Sequence, residues 1–403
     1  MTEPIVRTAI AFQGGAALGA FECGVMKALY DARGGPEHFQ PVAVTGLSSG
    51  AVNAALLAGA RSLNPIETLE RVWREDFSLL APLPPPLDAL PNLLPSLVQQ
   101  QLSMFGNLGM YLPRLPYIIL PFLAPYMTDS IYDTTPLRKT LERELDMRKL
   151  NGEGTGTQVI VSAVNVKTGK LTRFGNTECL RRNVSVDNQG GLQLDHVMAS
   201  GSLPPGFAKT VIDGEPYWDS GIMSNMPLAE AINCLEACDG DPAGVIREVI
   251  YVELFPLADE LPTNVPEVVF RFFALLFSGK FELDRKFIAK IGDFIDCAND
   301  MDALIQAIID DADLKQRVDA ALAAKGKSFR VDHLRDHPGL SELSRHKQID
   351  AFTKISFQAP SELTNPADFS KATIAARIEA GVQEAKRSDL SVPHSVDVHA
   401  PLH

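Results

Sequence analysis

The chain has 403 residues, enough for two or three domains or one large α/β unit, and at 45% hydrophobic it can bury a large core. A formal net charge of −13 argues against nucleic acid as a partner and against docking on anionic lipid by charge. Five scattered cysteines, Cys23, Cys179, Cys234, Cys238 and Cys297, disfavour a disulfide framework and fit a reducing, cytoplasmic setting.

The opening M-T-E-P-I-V-R-T-A-I-A-F has no basic leader, apolar core and cleavage site, so it reads as the start of a strand rather than a signal peptide. No uninterrupted apolar run reaches the ~20 residues that a membrane-spanning helix needs. Ile5 to Phe12 is a strand candidate, mostly apolar and so buried on both faces. A glycine-rich turn follows, with Gly14, Gly15, Ala16 and Gly19. A helix then runs to about Tyr30 with Leu18, Phe21, Val25 and Leu29 on one face, and Gly34-Gly35-Pro36 ends it.

The run Val42 to Thr45 reads as a second buried strand. Gly46-Leu47-Ser48-Ser49-Gly50 comes at once, and Ala51 to Ala60 reads as a helix of small apolar residues. A serine on such a strand-to-helix turn is pushed clear of the backbone at the edge of a sheet. Gly46 and Gly50 let neighbouring chains approach, and the helix beside Ser48 points unpaired N–H groups and a positive dipole end at its hydroxyl. Ser48 is therefore a candidate nucleophile. An ordinary Gly/Ser turn is the competing reading. The glycine turn at 14–19 reads either as a phosphate cradle or as an oxyanion hole facing Ser48. The second explains both turns at adjacent strand ends. Strand, turn, helix, strand, turn, helix implies an α/β fold with parallel strands and crossover helices.

Residues 79–127 differ from their surroundings, with ten of the 28 prolines and two charges, Asp88 and Arg114. Prolines break any continuous helix there. The segment is either an irregular insertion packed on the core or a cap over the site that supplies an apolar pocket and touches a lipid surface.

Thr135 reads as an N-cap with Pro136 at the first helical position. Thr157 to Val166 and Leu171 to Phe174 form a strand pair, and Asp195 to Gly201 a short helix stopped by Leu203-Pro204-Pro205. His196 reads as structural. In Pro216 to Pro227, an aromatic pair ends in Asp219, Ser220-Gly221 makes a tight turn, and Asn225 or Met226 caps a helix. Asp219 can reach a site at that strand end, although its local sequence alone fits a solvated Asx turn better. Arg247 to Phe255 is a core strand. Val265 to Lys325 is helical, and the apolar Phe270 to Phe277 is expected to pack against the cap. Lys354 to Ala359 alternates like an edge strand, Ser370 to Arg387 is an amphipathic helix, and the tail from Ser388 reads as disordered. Cys234 and Cys238 stand one helical turn apart with no further Cys/His pair, so they read as packing residues and no metal is expected.

Gly14-Gly15-Ala16-Ala17-Leu18-Gly19, Gly46-Leu47-Ser48-Ser49-Gly50 and Asp219-Ser220-Gly221, with the stretch from His196 to Phe207 between them, together resemble the patatin-like phospholipases. The tail from Phe357 to Ala385 resembles the extension of a bacterial subgroup. The resemblance implies a three-layer α/β/α sandwich with a mainly parallel sheet. It implies a catalytic region at 1–260 with the cap at 79–127, a helical extension at 261–390, and a disordered tail at 391–403. It implies Ser48 as nucleophile and Asp219 as proton acceptor, with no histidine, and Gly14, Gly15 and Ala16 as the oxyanion hole. Gly19, Gly46, Gly50 and Gly221 would be the motif glycines. The implied activity is lipid acyl-ester hydrolysis without cofactor, on a lipid or other acyl-ester substrate, with peripheral membrane contact through 79–127.

Thioester or polyester hydrolysis is the alternative within the class, and a non-catalytic lipid-binding protein the alternative outside it. The chain departs from the family pattern at Ala16 and Ser220, where glycine is usual, and at Leu18, where many members carry Arg or Lys. An Ser…Asp…His order would instead make His333, His337 or His346 the base.

Overall fold

The computed structural model describes residues 5–78, 107–224, 226–238, 245–255, 261–262, 265–326, 346–347, 349–358, 360 and 363–391. Its frame is an eight-stranded sheet in the order β10-β9-β1-β2-β5-β8-β7, with β6 paired on β5. The strands are β1 (Ile5–Phe12), β2 (Ala43–Gly46), β5 (Gln158–Asn165), β6 (Leu171–Gly175), β7 (Thr210–Ile212), β8 (Glu215–Asp219), β9 (Val245–Glu253) and β10 (Ala351–Ser356). β3 (Leu112–Pro113) and β4 (Tyr132–Asp133) form a separate antiparallel pair.

From β10 to β5 the pairing is parallel throughout. β6 and β8 run antiparallel to β5, and β7 to β8. The composition explains the burial. β5, Q-V-I-V-S-A-V-N, is buried at every position, as a strand covered on both faces must be. Three helices, α1 (Gly19–Ala32), α2 (Ser49–Gly59) and α3 (Pro65–Arg71), pack together on one face with the helix Lys371–Arg387. The helix Leu228–Glu236 covers β9, β1 and β2. The fold is thus the expected mixed α/β arrangement with a mainly parallel central sheet. No helix among the described residues is long and apolar enough to cross a membrane.

Several boundaries shift. The helix at 135 begins one residue earlier than expected: Thr134 is its cap residue, without a side-chain bond, and Asp133 Oδ1 accepts from the Thr135 amide instead. Pro227, not Met226, precedes the helix Leu228–Glu236, and Asn225 lies outside the described residues. Phe277 packs on Phe255, ring centroids 5.3 Å apart, and leaves Phe272, Leu275 and Leu276 exposed. The 79–106 part of the cap, the tail from 392 and His333 and His337 also lie outside the described residues.

The chain forms two compact units, one from Met1–Phe281 with Ala351–Val396, the other containing Glu282–Asp350. β10 is hydrogen-bonded along β9, so 351–391 belongs with the first unit rather than with a separate extension. Among the described residues, the second unit holds the far part of the helix Val265–Asp310 and the helix Ala312–Ala324, which is capped by Asp311.

Candidate active site

Register brings the two candidate residues level. Gly46 of β2 lies opposite Val161 of β5, and Asp219 of β8 lies opposite Ala163, two residues further along β5. Ser48 stands two residues beyond Gly46, at the same height. Its backbone is strained, φ 54° and ψ −127°, a combination that side chains disfavour. Such a residue costs on the order of 1–3 kcal/mol and persists only where its surroundings enforce it. Here they do. Cβ atoms at Gly46 and Gly50 would sit 2.2 Å from Gly50 O and 2.7 Å from Gln13 O, backbone atoms that cannot give way. Both glycines are required by the close approach of β1, β2 and α2.

Ser48 is half-buried, whereas Leu47, Ser49 and Gly50 around it are buried. Its hydroxyl lies close enough to the carboxyl of Asp219 to favour the ionised form. Asp219 is 1% exposed. Burial pushes its pKa up to about 6, against the opposing pull of the nearby Ser48 hydroxyl and of the Gly221 amide, which donates at 2.8 Å. The turn after Asp219 tolerates Ser220 in place of glycine because the Ser220 hydroxyl is buried and donates to Ser162 O of β5 at 2.9 Å.

One short helix steadies both residues. Leu194–Ser200 presents Ser200 Oγ, fully buried, to the Ser48 amide at 3.0 Å, and Ser202 O accepts the Asp219 amide at 3.0 Å. No role for Ser200 or Ser202 was evident from their positions in the sequence. The only signal was a pair of serines between a short helix and two prolines. His196, on the same helix, is buried, stacks on Phe174 with centroids 4.2 Å apart, and accepts from the Gln193 amide through Nδ1. Desolvation lowers its pKa to about 4, which keeps it neutral, as a structural histidine. His346 is exposed and belongs to the second unit.

The glycine turn departs from a simple three-donor cradle. The Gly15 amide donates to Ser49 Oγ at 3.0 Å, inside the protein, so it is engaged rather than open. Ala16 takes φ 50° where glycine would be at ease. Its amide has no hydrogen bond among the described residues. Gln13 Oε1 accepts from the Leu254 amide at 2.6 Å and ties the turn to the end of β9. A Cβ on Gly19 would strike Trp73 at 2.7 Å. Leu18 is buried core. Among the described residues no cluster of His, Cys, Asp or Glu is arranged to hold a metal ion, and Cys23, Cys179, Cys234 and Cys238 are buried free thiols.

The residues at 112–133 rise beside this centre. β3 and β4 close a stem whose Ile131 and Tyr132 amides bond to Pro205 O and Gly206 O, directly after the Ser200–Ser202 turn. Tyr111, Tyr132 and Phe207 pack their rings together at its foot. Beyond the stem, Leu115, Ile118, Ile119, Phe122, Leu123 and Tyr126 are all exposed, Phe122 at 92% and Tyr126 at 90%.

No curated protein matches the chain. Among solved structures it is similar to VipD from Legionella pneumophila, at 18% identity and a TM-score of 0.38, over 96% of this chain and 66% of that one. A family model described as patatin-like phospholipase matches residues 10–232, more than half of the chain and the whole span from the glycine turn through Ser48 to Asp219. The chain belongs to the patatin-like phospholipases.

Proposed function

We propose that the chain is a serine acyl hydrolase that cleaves lipid carboxylic esters through Ser48 and Asp219. The observation that carries this reading is a strained, half-buried Ser48 set beside a fully buried Asp219 whose pKa is raised to about 6. An ordinary aspartate, at about 3.9, is a weak base for a hydroxyl, and desolvation brings it closer to the working pH. In the first step Asp219 accepts the Ser48 proton as Oγ bonds to the ester carbonyl carbon. The carbonyl electron pair moves onto oxygen. Backbone amides of the glycine turn, with Ala16 the free donor, and the N-terminal end of α2 favour that charge. Collapse expels the alcohol, which takes the proton from Asp219. Water then gives a proton to Asp219, attacks the acyl-Ser48 ester, and releases the fatty acid as the proton returns to Ser48.

The departures at Ala16 and Ser220 do not favour a non-catalytic protein, because each is accommodated without disturbing Ser48 or Asp219. Fluorophosphonate labelling with mass-spectrometric mapping tests the reading. Modification of Ser48 alone, lost in Asp219→Asn, is expected, and an unlabelled chain overturns it.

The exposed apolar tip at 115–127 supports a lipid surface as the place of work. Its stem is bonded to the turn next to the site, and its base carries the Asp129–Lys209 ion pair and the Arg114–Ser130 bond. An apolar crown above a polar collar suits insertion past the headgroup layer. With a net charge of −13, attraction to anionic headgroups is not the driving force.

A further inference from the structure

The helix Lys371–Arg387 carries a cation with no part in the chemistry so far described. Arg377 is 0% exposed. Its Nε donates to Leu363 O at 2.9 Å and its Nη2 to Asn365 O at 2.6 Å. Its Nη1 donates to Asp368 O at 2.7 Å and to Ala17 O at 3.2 Å. No carboxylate pairs with it among the described residues, and burial lowers its pKa to about 10 against the opposing influence of Asp368. A buried cation served only by carbonyls is costly, and a leucine or methionine would fill the space at lower cost. The arrangement therefore calls for a reason beyond packing.

Ala17 is the reason that the contacts suggest. The C-terminal segment holds it from both sides: its carbonyl accepts from Arg377, and its amide donates to Pro366 O at 3.0 Å. Ala17 directly follows Ala16, the residue at φ 50° that bends the chain from β1 toward α1. The clamp has no room to slide. A Cβ on Gly24 of α1 would lie 1.9 Å from Ile378 O, and one on Gly381 would lie 2.1 Å from Phe21 O, so the two helices touch backbone to backbone. We propose that Arg377 is a positioning residue for acyl transfer, holding the glycine turn in the strained shape in which the Ala16 amide meets the developing oxyanion. This rests on the Ser48–Asp219 reading.

A second buried arginine provides the control. Arg33 also ties down the C-terminal segment, through Leu390 O at 2.6 Å, and pairs with Glu248 at 2.8 Å, but it does not touch the glycine turn. The experiment measures kcat, KM and Tm for a soluble nitrophenyl ester with Arg377→Lys, Arg377→Gln, Arg33→Lys and Ser48→Ala. Both arginine sites should lose Tm. Only the Arg377 variants should lose kcat, by about ten- to a hundredfold with KM within about twofold, because a small displacement of a positioned group is felt in the transition state. Arg377→Gln keeps two N–H donors without the charge and stands in if the lysine variant does not fold. Full kcat in a folded Arg377 variant overturns the proposal, as does a parallel loss of kcat at Arg33. Turnover by Ser48→Ala would instead sink the site reading itself, so the two failures are distinguishable.

Discussion

Ser48 stands on strained backbone and Asp219 is buried, both bonded to a neighbouring segment through Ser200 Oγ and Ser202 O, whereas residues 115–127 leave their largest side chains in water. In the first region each atom is fixed by something that cannot move: a glycine approach at 2.2 Å, a hydroxyl on an amide, a register along β5. In the second, the backbone is held by its own helical turns and the stem, but the large side chains have little to pack on. On the proposed function, the contrast separates two demands. Acyl transfer requires donors and nucleophile to stay within fractions of an ångström, while contact with a fluid lipid surface requires apolar area and little shape. Stability is sacrificed in the first region through strain and a desolvated carboxyl, and in the second through exposed apolar area.

The largest expected effect is at Ser48. Ser48→Ala should lower ester turnover by at least about a thousandfold while Tm changes little, since the hydroxyl is half-buried and its backbone bonds remain. His346→Ala should keep most activity. A histidine variant as inactive as Ser48→Ala would shift the base away from Asp219.

Asp219→Asn should be equally inactive, yet more stable than the parent at pH 7. The folded-state pKa of about 6 lies above the unfolded value near 3.9, so the native state holds a proton more tightly than the unfolded chain. The contribution of this group is fully favourable below about pH 4 and is lost as pH rises through 6. At neutral pH the ionised carboxyl therefore costs on the order of 2–3 kcal/mol, which the neutral amide avoids. Activity runs the other way and should rise through an apparent pKa near 6 as Asp219 ionises. Denaturant titration at pH 4 and pH 7 checks the first statement and a kcat/KM profile the second. A variant less stable than the parent at pH 7 would show that Asp219 contributes more as a structural acceptor than it costs as a buried charge.

The tip differs in kind. Phe122→Ser with Leu123→Ser removes side chains that touch little protein, so Tm should hold. Fully burying such a side chain is worth about 1.5–3 kcal/mol, so binding to neutral phosphatidylcholine vesicles should fall about tenfold or more and be nearly unaffected by salt. Activity on vesicles should fall with it while a soluble ester is hydrolysed as before. Equal loss on both substrates together with a lower Tm would make the tip part of the core.

Much of the local geometry of the candidate site was legible because its constraints are local. A glycine that must admit a carbonyl at 2–3 Å leaves its mark as Gly46 or Gly50, and a strand-to-helix serine carries its own geometry. β1, β2, β5 and β9 were legible from continuous apolar runs. Contacts between distant segments were not. Nothing near Ser200 announces a bond to Ser48, and Arg377 meets Ala17 from 360 residues away. The pairing of the last strand is hidden for the same reason: alternation at 354–359 shows an edge strand but not which strand it joins, and β10 joins β9. Ser49 is the subtlest case, since its hydroxyl occupies the Gly15 amide that glycine-turn reasoning offers to the oxyanion.

Ala16 yields the smallest effect and the finest test of how much the strained frame matters. Its φ of 50° lies where a Cβ crowds the following carbonyl, at a cost of about 1–2 kcal/mol. Ala16→Gly removes that crowding but adds freedom to the unfolded chain, an opposing loss of about 0.5–1 kcal/mol. The net change should be a rise in stability of about 1 kcal/mol or less. The N–H is retained, and Ala17 still has its bonds from Arg377 and to Pro366 on either side. If those bonds set the turn, kcat should stay within about threefold of the parent. A kcat that falls tenfold with unchanged Tm would show that the Ala16 methyl group itself holds the turn, and would place the restraint inside the turn rather than in the C-terminal clamp.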